Sequence, residues 1–318
     1  MNLYGSKKQK LKFRLSNVWG MLRLTCDVWT ACTNLGYICL TAHFVDENWK
    51  LNSKILAFCS MPPPHSGIEI ARKVYHILAD WKIDRKVFSL TLDSSSANND
   101  MVEILKMRLG LQNSLLCNGE FFRVKCCSHL LTLMVQEGLE VASEALDKIR
   151  DSIKYVKASE ARMIKFKECA RKTGIELPSS LCLDVPTHWE SIYLMFDSGI
   201  KCRRVFCLLE FEDLAYMYRP TEEEWNRELM LKFLEPFYNI STMISGSSSP
   251  TSGFFFLELW KIAHFVSINY RSQDEEVKSM SHSMNLKFAP YWEEHSEILS
   301  RRSVRPKDKT EFKRLNVK

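Results

Sequence analysis

The 318-residue sequence has no apolar stretch approaching the ~20 residues that a membrane-spanning helix requires. It is poor in chain-breaking residues, with 11 Gly and 10 Pro, which excludes collagen-like and low-complexity disordered chains. None of its 11 cysteines stands in a Cys-x-x-Cys pair, so no zinc ribbon or finger is expected. The opening residues, MNLYGSKKQKLKFR, lack the apolar core of a secretory signal, and the cysteines are expected to be reduced thiols in the cytosol or nucleus. What is present is 46% hydrophobic and 26% charged, the composition of a folded chain long enough for two domains.

The net charge of +6 is unevenly spread. Residues 1–20 carry Lys7, Lys8, Lys10, Lys12 and Arg14 with no acid, and 301–318 carry eight Lys or Arg against Asp308 and Glu311. Between these ends, 21–300 is left at −5. Basic ends suit nucleic-acid contact or nuclear import, or they are simply solvated.

Three β-rich runs, 21–28, 36–45 and 49–59, are separated by short polar breaks and read as an antiparallel meander. PPPHSG then stops the third strand, and Ile68, Ala71, Val74, Tyr75 and Leu78 fall at helical spacing. KVFSLTLD (86–93) is nearly continuous in apolar character, as expected of a strand buried on both faces, and is followed by Ser and Asn capping groups for a helix over 98–109. FFRVKCC (121–127) is a fifth strand leading into a helix. Three strands, helix, strand, helix, strand, helix is the order of a ribonuclease H-like α/β core, a mixed five-stranded sheet with strands arranged 3-2-1-4-5. The expected organisation is a basic N-terminal segment (1–20), this core (21–140), a large all-α insertion (141–300) and a basic tail (301–318). Within the insertion, 141–172 reads as one long amphipathic pattern. Further helices are expected over 189–218, 221–244, 254–270 and 274–299, the last interrupted near Pro290.

Asp27 ends the first strand and Asp93 the fourth. In such a sheet these strands are neighbours, so both carboxylates emerge at one end, within reach of a shared divalent ion; strand-end aspartates also serve as turn or helix caps. Neither has a Lys or Arg close by in sequence, which leaves a metal or solvent as partner. Cys126 and His129 form a single Cys-x-x-His, a poor zinc site on its own. Trp189 is a core anchor or a stacking platform for an extruded base. Lys165, Lys167, Arg171, Lys172, Lys201, Arg203 and Arg204 form either a phosphate-facing surface or a solvated helical face.

LTCDVWTA, LTLDSSSAN, FFRVKCCSHLLTLMVQEGL, IKYVKASEARMIKFKECA, LCLDVPTHWESIYLM, EEEWNRELMLKFLEPFYNISTMISGSSSPTS and MNLKFAPYWEE occur in that order over about 21–295. Together they resemble the plant hAT-superfamily transposases and their domesticated relatives of the RICESLEEPER and DAYSLEEPER type. The resemblance implies a nuclear, DNA-cutting ribonuclease H-like enzyme with an Asp-Asp-Glu site for Mg2+ or Mn2+. It makes Asp27 and Asp93 the first two acids, Cys126 and His129 the family's Cys-x-x-His, and Trp189 the tryptophan that stabilises flipped DNA. The chain departs from the pattern in four places. Neither an N-terminal BED-type finger nor a Ser-Glu-Arg block with its dimerisation region is expected. Thr187-His188-Trp189-Glu190 stands for Thr-Arg-Trp-Asn, and Asp93-Ser94-Ser95-Ser96 for Asp-Asn-Ala-Ser. The expectation is a DNA-binding, transposase-derived protein without strand cleavage. The alternatives are a nuclease completed by a partner chain and a module that binds other hAT-type transposase subunits.

Overall fold

The computed structural model describes residues 3–303 apart from 32, 179–180, 186–188, 226 and 246–251. Most of the basic tail expected over 301–318 lies outside the described residues. Two compact units divide the chain at Leu130, ten residues before the boundary expected from the sequence.

The first unit is built on the meander. Strands β1 (Leu22–Thr30), β2 (Gly36–Val45) and β3 (Leu51–Ser60) pair antiparallel, and β4 (Val87–Leu92) and β5 (Arg123–Lys125) add in parallel. The sheet order is β3-β2-β1-β4-β5, the arrangement the element order implies for a ribonuclease H-like core. Alternation fixes its faces. Leu22, Leu24 and Cys26 of β1 and Ile38, Leu40, Ala42 and Phe44 of β2 are buried, while Arg23 and Asp27 point outward.

Of the unit's helices, α1 (Leu3–Asn17) precedes β1, α2 (Gly67–Trp81) precedes β4, and α3 (Ser96–Gly110) follows it. α4 (Cys127–Leu139) runs across the division between units. Ser66 caps α2 by accepting the Glu69 N–H, and Lys82 closes its other end in the left-handed conformation at φ 56°. Ile70, Ala71, Val74, Ile77, Leu78 and Trp81 line the face of α2 that enters the core.

The basic N-terminal segment is not a loose end. It forms α1, whose Leu15 is fully buried in the sheet's hydrophobic core. Lys8 and Lys12 both pair with Asp80, and Arg14 pairs with Asp46. Beyond the helix C-terminus, the Lys86 ammonium donates to the carbonyls of Leu15, Ser16 and Val18. A cation there satisfies carbonyls that have no partner within the helix and complements its dipole. Periodicity could not reveal this, because the anchoring acids and Lys86 lie 32 to 71 residues away in sequence.

The second unit consists of α5 (Ser143–Lys157), α6 (Glu160–Thr173), α7 (Trp189–Lys201), α8 (Arg203–Glu212), α9 (Glu222–Trp225), α10 (Glu228–Ser245), α11 (Ser252–Asn269) and α12 (Glu275–Ser303). The pattern expected as one helix over 141–172 is two, because Ser159 stops the first and caps α6 by accepting the Arg162 N–H. The helix expected over 189–218 likewise divides into α7 and α8 and ends at Glu212. α12 runs through Pro290 without a break. Val277, Met280, Met284, Phe288 and Tyr291 are buried at helical spacing along it, and this packing sustains a helix that proline alone would interrupt.

An aromatic seam binds α6, α8 and α9. Phe206 lies 4.8 Å from Phe166, 5.8 Å from Trp225 and 6.2 Å from Tyr216 between ring centroids. Gly199 sits where an added Cβ would meet Ile149 Cγ2 at 2.6 Å, so a glycine inside α7 is what lets α5 approach. Among the described residues, no helix is long and apolar enough to cross a membrane.

Candidate functional site

Asp93 directly follows β4, as expected, but Asp27 does not end β1: the strand keeps its pairing with β2 for three more residues, to Thr30, and Asp27 lies within it beside Asp93. The parallel register pairs Leu24 with Leu90 and Thr25 with Thr91, so two residues further on Asp27 and Asp93 fall on one row of the sheet. Neighbouring strands are about 4.8 Å apart, and residues on one row project from the same face. On the far side, β5 continues the row: Leu92 pairs with Lys125, and the Cys126 N–H donates to the Leu92 carbonyl at 2.7 Å. Cys126 thus follows Asp93 across the sheet edge, with His129 one turn into α4.

The surroundings shift the two carboxyls in opposite directions. Asp27 is raised above the usual carboxylate range by desolvation and by the neighbouring charge of Asp93. Burial also pushes Asp93 upward, but this is outweighed by hydrogen bonds from Ser95 and Asn98 and by the charge of His129, which leave it below that range. Asp93 Oδ1 accepts the Ser95 N–H at 2.9 Å and the Asn98 amide at 2.7 Å, so it also organises the turn into α3. Burial is the largest cause raising the Cys126 thiol above its ordinary pKa.

A protonation state that differs between folded and unfolded chains makes stability depend on pH. Because the folded chain holds the Asp27 proton more tightly, ionising Asp27 destabilises the fold as pH rises above about 3.9, the ordinary value for Asp. Asp27→Asn should therefore raise the Tm at pH 7, by only about 1–2 °C because the exposed carboxyl is screened. The gain should disappear below pH 3.5, where Asp27 is protonated in both states; differential scanning fluorimetry across pH tests this.

A divalent ion of the kind the fold implies requires more than this pair. Mg2+ is held by one or two carboxylates with waters completing its octahedron, but a nuclease site must clamp both the attacking and the leaving oxygen. Among the described residues, no group of three or more His, Cys, Asp or Glu side chains could hold a metal ion. Among the described residues the acids brought together here are Asp27 and Asp93. Glu297 lies in the part of α12 whose side chains are outside the described residues.

The residues expected in the helical half stand differently from a DNA-facing surface. Trp189 is fully buried at the start of α7, so it is a core anchor and offers no ring to a base. Lys165 approaches Asp213 at 3.9 Å, Lys172 pairs with Glu212 at 2.7 Å, and Arg203 pairs with Glu222 at 2.9 Å. Arg171 is 80% exposed and reaches Glu168 only at 4.0 Å, and Arg204 is exposed. Helical spacing predicted cations on α6 and α8 but not the acids that face them.

Residues the sequence reading passed over lie beside the acid pair. Trp29, two positions beyond Asp27, shares its face, and its ring meets Tyr37 of β2 and Phe58 of β3. Period-two alternation counted onward from Asp27 would have placed Trp29 there.

A five-stranded 3-2-1-4-5 sheet with Asp27 on β1 beside Asp93 just past β4 defines a ribonuclease H-like fold. Family models agree in both halves: residues 25–121 match the ZBED1 RNase-like domain, and 124–232 match the ZBED1 RNase-like helical domain. The chain belongs to this family of plant hAT-like transposase-derived proteins. It is 31% identical to zinc finger BED domain-containing protein RICESLEEPER 2 of Oryza sativa subsp. japonica, over 94% of this chain and 42% of that protein. It is 30% identical to the putative AC transposase of Zea mays, over 92% of this chain and 37% of that protein. With DAYSLEEPER of Arabidopsis thaliana the identity is 28%, over 93% and 43%. The chain spans about two fifths of the length of these curated relatives.

Proposed function

We propose that this chain is a transposase-derived DNA-binding protein that holds DNA in the nucleus without cutting it. The observation that carries this reading is the acid pair, Asp27 and Asp93, in a family of transposases but without a third metal-holding group among the described residues. In-line displacement at phosphorus depends on fixed ions, and misplacing a catalytic group by about 1 Å already costs on the order of 100-fold.

The charge distribution favours the sheet-bearing half as the one that meets DNA. Residues 1–130 carry 17 Lys and Arg against 10 Asp and Glu, a net +7, whereas 131–300 carry 19 against 26, a net −7. Phosphate contacts then come mainly from the sheet-bearing unit and, in addition, from the cations of 301–318.

An anisotropy titration of a labelled 20-base-pair duplex at several salt concentrations tests the reading. Log affinity should fall linearly with log salt, with a slope near −0.9 per phosphate neutralised. Arg203→Ala, which removes a cation already held by Glu222, should leave that slope unchanged. A duplex that fails to bind at low salt would refute the proposal.

A further inference from the structure

Trp29, Tyr37 and Phe58 form a cluster across the three antiparallel strands of the sheet. Their centroids are 5.6 to 5.8 Å apart, and the Trp29–Tyr37 and Tyr37–Phe58 planes incline by 28° and 24°. Phe58 is 61% exposed and Trp29 38%. Rings of this size are normally taken into a core, where they contribute several kcal/mol through burial. The Trp29 and Phe58 planes incline by 52°, so the three rings form a contiguous but not flat aromatic surface on which bases of any sequence could stack.

The surroundings indicate what would stack there. Phe58 also lines a groove of about 800 Å³ between β3 and α2. Lys8, Arg72, Lys73 and His76 line it, against Glu69 and Asp80. Glu69 pairs with Arg72 and Asp80 with Lys8 and Lys12, so these charges offset one another and the groove's net positive charge rests on Lys73. Lys73 makes no ion pair among the described residues. The opposite border of the ring cluster is the acid pair, since Asp27 precedes Trp29 by two residues on the same face. A phosphate chain is repelled from that border and attracted to the groove. Within a unit of net +7, this polarity favours a polyanion with exposed bases over an apolar protein segment.

We propose that the Trp29–Tyr37–Phe58 face and the groove beside β3 form a binding site for single-stranded nucleic acid. Bases stack on the rings, and the backbone runs along the β3 edge past Lys73. The site rests on the DNA-binding reading above and narrows it, placing an unpaired strand next to Asp27 and Asp93. Aromatic stacking of this kind contributes about 1–3 kcal/mol per base and depends little on which base it is.

The test is anisotropy of a labelled 12-nucleotide oligo-dT and of the 20-base-pair duplex, with the full chain and with Trp29→Ala/Phe58→Ala, Trp29→Phe/Phe58→Tyr and Lys73→Ala variants. The double alanine variant should bind oligo-dT at least tenfold more weakly while its duplex affinity changes less than threefold. The conservative variant, which keeps both rings, should retain wild-type oligo-dT affinity and so separates stacking from misfolding. Lys73→Ala should flatten the salt slope for oligo-dT by about one phosphate's worth. Oligo-dT affinity unchanged by the double alanine variant, or lost equally for duplex and single strand, would overturn the site while leaving duplex binding intact. Duplex that does not bind the wild-type chain would instead refute the broader reading. Self-association seen in sedimentation and abolished by the double alanine variant, without oligo-dT binding, would assign the face to a second copy and also overturn the proposal.

Discussion

Trp189→Ala should destabilise the protein by about 3–5 kcal/mol, the cost of emptying a fully buried indole site, and lower the Tm by on the order of 10 °C. Among the described residues its indole N–H has no hydrogen-bond partner, so the loss is one of packing alone. DNA affinity measured well below the transition should stay within twofold of wild type, because a ring with no exposed surface contributes no stacking. A variant that melts normally but binds DNA tenfold more weakly would restore the base-stacking role. Urea denaturation and duplex anisotropy on the same sample distinguish the two outcomes.

The second large effect concerns Asp184, in the LCLDVPTHW stretch that leads into α7. Its carboxyl is 4% exposed and accepts the Arg150 Nε at 2.9 and 3.0 Å, which ties this non-helical segment to α5. The hydrogen bond to Asp184 is also the main cause that raises the Arg150 guanidinium above its ordinary pKa. Removing one member of a buried pair strands the other charge at a cost of 3–5 kcal/mol. Asp184→Ala should fall at the low end, about 3 kcal/mol, because Arg150 keeps Asp147 as a partner. Replacing both groups with apolar ones, Arg150→Met with Asp184→Leu, should recover most of the loss, since no unpaired charge remains. A single variant within 1 kcal/mol of wild type would mean that the pair does not anchor the segment. Equilibrium urea unfolding of the three variants provides the comparison.

The sheet was legible because its information is local. Alternation in β1 and β2, the PPPHSG stop, and the apolar run ending in Asp93 each determine one element, and chirality and short connections leave few ways to assemble them. Asp27 and Asp93 were legible as neighbours for the same reason, since strand order alone puts them at one end. What the sequence concealed depends on partners far along the chain. The cations of α1 read as nucleic-acid contacts or a solvated end, yet three of them meet Asp80 and Asp46. The cations of α6 and α8 read as a phosphate-facing surface or a solvated face, yet Lys172 and Arg203 meet Glu212 and Glu222. The break at Ser159 was missed for a different reason. Apolar residues keep helical phase across it, and the only signal was Ser159 itself, a capping residue three positions before the N–H it accepts.

Whether this ribonuclease-like fold binds DNA without cutting it is decided by a nicking assay. The full chain is incubated with an end-labelled duplex and millimolar Mg2+ or Mn2+ at a concentration that saturates binding. The bound duplex should stay intact, with Asp93→Ala indistinguishable from wild type. Metal-dependent nicking by the wild-type chain that Asp93→Ala abolishes would contradict the proposal and establish Asp27 and Asp93 as part of a working nuclease.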